Sequence, residues 1–431
     1  MVQRLCGICP VSHHLAACKA MDQVVGADRL TPTAEKLRRL MHYGQILQSH
    51  ALHFFHLSSP DLLFGFDSDV AKRNIVGIAM ANPEVAKKGV LLRKFGQEVI
   101  RLTAGKRVHG TGSVPGGVNK SLSDDERAYL RKDIEQTVAW CQDAVQIIKQ
   151  LHSRNPALYD GFGVVPSTTM SLVGPDGEMD LYHGALRARD LDGEVMFDQV
   201  SYLGYQSLLT EGVKPWSYMK FPYITALGAE KGWYKVGPLA RVQNVDRIPT
   251  PLAEAERKEF VAYGRGKPIH SSLSYHWARM IEMLFSAEMI QRLLDDDDIQ
   301  GEDLMAPGER DDEGIGVIEA PRGTLFHHYR VDENDLVTYA NLIVSTTNNN
   351  NAMNMAVREV AKKYLSGREI TEGLLNHIEV AIRCFDPCLS CATHALGRMP
   401  LEVSLVDADG SLIQQVVKDG NGEIRAVRAT A

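Results

Sequence analysis

The chain is 431 residues long, 44% apolar and 23% charged, which allows one large core or two to three domains and is ordinary for a soluble globular protein. Its net charge of −7, with no dense run of lysine and arginine, argues against nucleic-acid binding. The apolar stretches break off short of the roughly 18–20 residues a membrane span needs, and Met1–Leu15 lacks the apolar core and cleavage site of a secretory signal, so a cytoplasmic protein is expected.

The first 155 or so residues read as mainly helical. From Thr31 to Ser59 apolar residues recur at helical spacing (Leu37, Leu40, Met41, Ile46, Leu47), with Thr31 or Thr33 as N-cap and Ser58-Ser59-Pro60-Asp61 as the stop. Helical patterns return at 83–103 and 123–154, the second opening on acidic residues (Asp124, Asp125, Glu126) that suit the positive end of a helix dipole. A glycine-rich loop, His109–Gly117, lies between them. From about 164 to 237, Gly174-Pro175-Asp176-Gly177 and Asp192-Gly193 punctuate short alternating runs and predict a β-rich insertion. Helices are expected again at 251–263 and 271–294, a solvated acidic surface at Asp295–Asp298 and Glu309–Glu313, strands at 316–320 and 324–331, and helices at 352–365 and 371–384. The expected class is α+β, predominantly helical. After it, Ala395–Ala431 predicts a hairpin of strands 401–406 and 412–417 around Asp407-Ala408-Asp409-Gly410.

Seven cysteines in so long a chain are no disulfide scaffold, but four of them form two Cys-x-x-Cys pairs, Cys6/Cys9 and Cys388/Cys391. Thiolates are soft ligands, and an i, i+3 pair can place both sulfurs on one metal. A structural zinc knuckle gathers its pairs within a few tens of residues, whereas these stand at opposite ends. Spacing alone leaves three readings: a metal site closed over long range, a redox dithiol, and unrelated cysteines. Cys18, Cys141 and Cys384 have no partner at ligand spacing and are expected to be buried thiols.

The flanking residues narrow the choice. Arg4-Leu5-Cys6-Gly7-Ile8-Cys9 runs on through Pro10-Val11-Ser12 to His13, and Asp386-Pro387-Cys388-Leu389-Ser390-Cys391 runs on through Ala392-Thr393 to His394. These resemble the two signature motifs of the large subunits of nickel–iron hydrogenases, RxCGxCxxxH and DPCxxCxxH. The resemblance continues through Val108–Gly110, Pro115–Gly117, Val236–Arg241 and Glu319–Gly323, and the wording around the cysteines is most similar to the soluble, bidirectional, NAD-linked subgroup.

The resemblance implies a nickel–iron centre whose iron carries cyanide and carbon monoxide, with Cys6 and Cys388 as terminal nickel ligands and Cys9 and Cys391 as bridges. It implies heterolytic splitting of dihydrogen, in which a terminal thiolate such as Cys388 accepts the proton. By resemblance Pro321 and Arg322 stand over the open metal position, Asp386 and Asp61 hold Arg322 in place, His13 hydrogen-bonds towards a bridging sulfur, and Thr346 lies beside a cyanide. His50, His53 and His56 share one helix face at i, i+3 spacing, and the family match makes them packing and hydrogen-bonding residues. His394 becomes the C-terminus and a ligand to magnesium once an endopeptidase removes a propeptide, 395–431, leaving a catalytic domain of residues 1–394. The resemblance also implies several dozen residues ahead of the first motif, with an Arg-Ile-Glu-Gly-His-like segment, so the sequence reads as an N-terminally truncated precursor.

With no further cysteine cluster and no GxGxxG after a strand, this chain is expected to bind neither iron–sulfur clusters nor nicotinamide. The implied partners are a small subunit with an iron–sulfur cluster, a diaphorase module with FMN and NAD, and the maturation endopeptidase and nickel-insertion proteins. The rival functions are a non-catalytic zinc scaffold and a relative of the quinone-site subunit of respiratory complex I, which lacks the cysteine pairs.

Overall fold

The computed structural model describes residues 1–27, 29–389, 401–419 and 423–428. Helix α1 (Pro10–Val24) is followed by α2 (Pro32–Leu52), capped by Thr31, whose hydroxyl accepts the Ala34 N–H at 3.2 Å. The chain does not leave helix at Ser58, where the sequence predicts a stop. A π turn, His53–Ser58, joins α2 to α3 (Ser59–Phe64), and Gly65 ends the run. Proline lacks an N–H and its ring crowds the preceding turn. The wider π turn places Pro60 in the first turn of α3, where no N–H is required.

Helices α4 (Pro83–Ala104) and α5 (Asp124–Arg154) follow, the latter opened by a capping box in which the Ser123 hydroxyl accepts the Glu126 N–H and the Glu126 carboxylate accepts the Ser123 N–H. Next come β1 (Thr168–Val173), β2 (Ala185–Arg189), β3 (Val195–Val200) and β4 (Tyr234–Lys235), ordered β3-β2-β1-β4 with only the β1/β4 pair parallel. A small hairpin, Leu209–Gly212 with Phe221–Ile224, stands beside them. Helices α6 (Pro238–Asn244), α7 (Pro251–Tyr263) and α8 (Ser274–Leu294) return the chain to the helical layer. Helix α8 is buried on nearly every face; α2 and α5 pack against it, and α4 lies on α2 and α5, to form the main core.

A second sheet, β5 (Glu313–Ala320), β6 (Gly323–Val331) and β7 (Val337–Ile343), is antiparallel in the order β7-β6-β5. Helix α1 lies directly on β5. A Cβ at Gly316 would stand 2.0 Å from the Ala16 carbonyl oxygen, so only glycine lets the helix backbone come down onto the strand. Strand β7 is not legible in the sequence, because it is a partly exposed edge strand with a single buried residue. Helices α9 (Asn350–Val360) and α10 (Glu372–Cys384) complete the body.

The tail forms a three-stranded meander, β8 (Leu401–Val406), β9 (Leu412–Lys418) and β10 (Ile424–Arg428), rather than the two-stranded hairpin that the sequence predicts. Five residues that include two arginines carry too little pattern to be read as a strand alone. Pairing with β9 makes them one. The class expected from sequence, α+β and predominantly helical with a β-rich insertion, is the class observed, its sheets being small.

Candidate metal centre

Cys6 follows a short 3-10 turn (Val2–Leu5), and Cys9 caps the N-terminus of α1 with Pro10 in the first turn. Gly7 and Ile8 carry the chain round between them, so the N–H groups of Ile8 and Cys9 both donate to Cys6 Sγ at 3.2 Å. Two N–H donors and the positive end of a helix favour a thiolate over a thiol. From α2, Gln45 and Gln48 donate side-chain N–H groups to the Ile8 carbonyl at 2.9 and 2.8 Å, which clamps the loop onto the bundle.

Opposite this loop is the tip of the β5–β6 hairpin. Ala320 pairs with Gly323, which leaves Pro321 and Arg322 as a two-residue turn. Gly323 has φ 136, and a Cβ there would stand 2.1 Å from the Val236 side chain, so the tip sits tightly against the segment leading into α6. Arg241 of α6 donates to the carbonyls of Ala320 at 2.9 Å and Pro321 at 3.4 Å. Its charge is met by Glu319 at 2.7 Å and by both carboxylate oxygens of Glu282, and His50 hydrogen-bonds Glu282 at 2.9 Å.

All four side chains are no more than 1% exposed. Burial pushes against ionisation of Glu282, but Arg241 and His50 outweigh it and hold the carboxyl at about 2. Burial lowers His50 to about 4 despite Glu282, and it raises Glu319 against the pull of Arg241. The segments 236–241 and 319–323, to which the sequence alone gives no shared role, thus form one buried frame that fixes the hairpin tip.

The second cysteine motif starts where α10 ends. Asp386 takes a left-handed backbone (φ 53) and Pro387 bars any further helix. That conformation costs an L-residue roughly 1–2 kcal/mol, and aspartate is among the side chains that tolerate it best. The turn aims Asp386 at the hairpin tip: Arg322 donates to its Oδ1 at 3.0 Å and to its backbone carbonyl. Beyond β7, the Thr346 hydroxyl accepts the Cys388 N–H at 3.0 Å and fixes the cysteine's backbone.

The sulfurs of Cys6 and Cys388 stand 3.0 Å apart, and with Cys9 all three buried sulfurs lie within 4.8 Å of one another. Among the described residues this is the one cluster of His, Cys, Asp and Glu side chains tight enough to hold a metal ion. Three soft sulfur donors suit a soft or borderline transition metal such as nickel or iron, not magnesium or calcium. The cavity above them, bordered by His13, Pro321, Arg322, Thr346, Cys9 and Cys388, has a volume of about 10 Å³, space for a molecule the size of water. Burial opposes the charge on Arg322, but Asp386 and negative charge on the sulfurs of Cys9, Cys388 and Cys6 outweigh it and hold the guanidinium well above its ordinary value. Burial raises the Asp386 carboxyl against the pull of Arg322 and Arg279. His13 is lowered to about 4, chiefly by burial and against the pull of Cys388.

The fold therefore brings together Cys6, Cys9, Cys388, Arg322, Asp386, His13, Pro321 and Thr346. Cys391 and His394 lie outside the described residues. Asp61 needs correction. The resemblance assigns it to Arg322, but its carboxylate accepts from Arg383 at 2.6 Å and Asn376 at 2.9 Å, with Arg73 at 3.4 Å. The second side chain on Arg322 is instead Ser49, whose hydroxyl accepts at 3.4 Å. Twelve residues of helix rotate a side chain roughly 120° from its start, and the π turn adds to this, so Asp61 cannot share Ser49's direction. Nothing in Gln48-Ser49-His50 signals that role. His50 and His53 make hydrogen bonds, to Glu282 and to the Arg383 carbonyl, and Cys18, Cys141 and Cys384 are buried.

Comparison with known proteins agrees with this geometry. The family model for the nickel-dependent hydrogenases matches residues 1–71 and 190–394. The NAD-reducing hydrogenase HoxS subunit beta of Cupriavidus necator is 49% identical, covering 96% of this chain and 88% of that protein. The corresponding polypeptide of the F420-non-reducing hydrogenase vhc from Methanococcus voltae is 39% identical, covering 95% and 87%. A solved NAD+-reducing nickel–iron hydrogenase in the H2-reduced state superposes with a TM-score of 0.90 at 56% identity, covering 91% of this chain and 87% of that one. The Ni-Fe-Se hydrogenase from D. vulgaris Hildenborough, at 23% identity and a TM-score of 0.72, shares the fold. This chain belongs to the nickel-dependent hydrogenase family.

Proposed function

We propose that this chain is the catalytic subunit of a nickel–iron hydrogenase that splits dihydrogen reversibly and heterolytically and passes the electrons, through a small subunit, to an NAD(P)-linked diaphorase. The observation that carries this reading is the convergence of Cys6, Cys9 and Cys388, from the two ends of the chain, beneath the hairpin arginine Arg322. Cys6 and Cys388 would hold nickel as terminal ligands, and Cys9 and Cys391 would be shared with an iron carrying cyanide and carbon monoxide. When bound, such a pair supplies the Lewis acidity and redox capacity that dihydrogen cleavage needs.

The chain's own residues do the rest. The loop N–H groups and the start of α1 stabilise negative charge on Cys6 Sγ. Cys388, its backbone held by Thr346, takes the proton released on cleavage. Arg322 projects a permanent charge over the cavity, steadied by Asp386 and Ser49, and polarises what enters it. The small cavity excludes bulk water and organic substrates. Pro321 stiffens the tip from which Arg322 projects.

Residues 1–394 are the catalytic domain, with the insertion at 164–237, and 395–431 is a propeptide removed after His394, whose ring then binds magnesium beside oxygen ligands. Among the described residues no helix is long and apolar enough to cross a membrane, and we place the enzyme in the cytoplasm with its small subunit, diaphorase, endopeptidase and nickel-insertion partners. Metal analysis of protein from nickel-replete cells should find nickel and iron near one each, with infrared bands of iron-bound cyanide and carbon monoxide. Zinc alone without those bands would make the chain a scaffold. Mass spectrometry of the same protein should find the chain ending at His394.

A further inference from the structure

Away from the sulfurs, His13 is tied to two residues for which the reaction as described has no use. Its Nδ1 lies 3.1 Å from Nε2 of His327, and Nδ1 of His327 lies 2.6 Å from the Tyr329 hydroxyl. His13 is on α1, at the cavity edge with Cys9 and Cys388. His327 and Tyr329 are two apart on β6 and so face the same side of the sheet. Their relative exposures are 1%, 0% and 6% for His13, His327 and Tyr329. Among the described residues no carboxylate contacts either ring, and burial keeps both imidazoles and the phenol neutral.

A neutral imidazole carries one proton, so accepting a hydrogen bond at one nitrogen compels it to donate from the other. A line of two such rings ended by a hydroxyl therefore has only two self-consistent polarities. In one, Tyr329 donates to His327 Nδ1, His327 donates from Nε2 to His13 Nδ1, and His13 carries its proton on Nε2. In the other every bond is reversed, and His13 presents a lone pair on Nε2. A phenol O–H is a better donor than an imidazole N–H, and an imine nitrogen is a better acceptor than a phenol oxygen. The first polarity wins on both counts, and linked bonds of one direction polarise one another.

With Nδ1 engaged by His327, Nε2 is the nitrogen left for the cavity side. We propose that Tyr329 and His327 are positioning residues for the metal centre, forming a directional relay that locks His13 in the tautomer whose Nε2–H points towards the cysteine sulfurs. This rests on the hydrogenase reading above. A donated N–H withdraws electron density from a bridging thiolate and so from the iron it serves. The reversed tautomer sets a lone pair against an anionic sulfur. The relay thus makes one hydroxyl about two side chains away a control on the metal's electron density.

The test is Tyr329→Phe in the assembled, nickel-loaded enzyme, a change that keeps the ring and removes only the terminal donor. The infrared bands of the iron-bound ligands should split or move to lower frequency, and kcat should fall on the order of 10-fold with KM for dihydrogen unchanged. Unmoved bands in loaded Tyr329→Phe would overturn the relay. Loading can be bypassed by 15N spectroscopy of the metal-free full chain labelled at histidine, with the His13 signals assigned through His13→Gln. Wild type should show His13 protonated on Nε2 alone, and Tyr329→Phe should show both tautomers. A wild-type His13 protonated on Nδ1 refutes the proposal. Absence of nickel and of infrared bands from the wild type sinks the hydrogenase reading instead, and the tautomer measurement then decides the relay separately.

Discussion

The hairpin frame and the tail sheet are both held by mixed ionic and apolar contacts, yet they are built for opposite purposes. In the frame, Arg241, Glu282, Glu319 and His50 are no more than 1% exposed, and every charge faces another. In the tail, β9 rests on α10 and the loop before it through Val416, Ile370 and Leu375. Lys418 reaches Glu379 at 2.9 Å and Glu372 at 3.4 Å, with side chains 17–25% exposed. Removing one partner from a buried ion pair leaves an unsolvated charge, whereas solvent replaces most of what a surface pair provides. The frame is therefore held by contacts that only the fold can supply, and the tail sheet by contacts that solvent can largely replace. The tail sheet rests on the helix that leads to Asp386 and Cys388.

The comparison breaks most severely at Arg241. Arg241→Met should cost roughly 3–5 kcal/mol by stranding Glu282 and Glu319, read as a large fall in the urea midpoint, or as insoluble protein, together with loss of nickel. Acid should also attack the frame before the tail. His50 and His42, whose Nε2 lies 3.1 Å from the Glu319 carbonyl oxygen, are lowered from 6.5 to about 4, so the unfolded chain takes up protons that the folded chain refuses. Their contribution is full above pH 6.5 and is lost as the pH falls towards 4. Urea midpoints should thus be lower at pH 5 than at pH 7.5, with a shallower slope in His50→Gln, and equal midpoints at the two values would contradict the buried neutral rings.

At the site itself, Asp386→Asn keeps an acceptor for Arg322 and removes the charge. Activity should fall on the order of 10–100-fold while nickel content is kept. Ser49→Ala removes the longer contact to Arg322 and should lower activity only several-fold, about 1 kcal/mol or less. Asp61→Asn should do no more to activity than Ser49→Ala, because Asp61 serves Arg383 and Arg73. The smallest effect belongs to the tail: Lys418→Ala should change stability by less than about 1 kcal/mol, while limited proteolysis shows faster cutting after residue 400.

Much of the site could be read from short stretches of sequence because its chemistry is local. A Cys-x-x-Cys loop ahead of a proline-started helix, and an aspartate before a proline at a helix end, carry their geometry within a few residues. The contributions that escaped are those in which one residue meets another far along the chain. Ser49 against Arg322 is one, Gln45 and Gln48 against the Ile8 carbonyl is another, and His327 against His13 is a third. The Asp61 error has the same root. A carboxylate near a helix end looks equally suitable for any arginine, and the π turn, which sequence does not announce, decides which one it faces.

The amino-acid sequence by itself determined the soft-donor chemistry of the paired cysteines, the helix starts capped by Thr31 and Ser123, and the break between strands that leaves Pro321 and Arg322 at a hairpin tip. Those depend on the conformational limits of a few adjacent residues. Only the tertiary structure decided which side chains steady Arg322, that a buried Arg241 frame fixes its turn, and which atoms orient His13. Such choices are made by packing, where burial withdraws water and leaves each polar atom dependent on whichever distant partner the fold brings within reach.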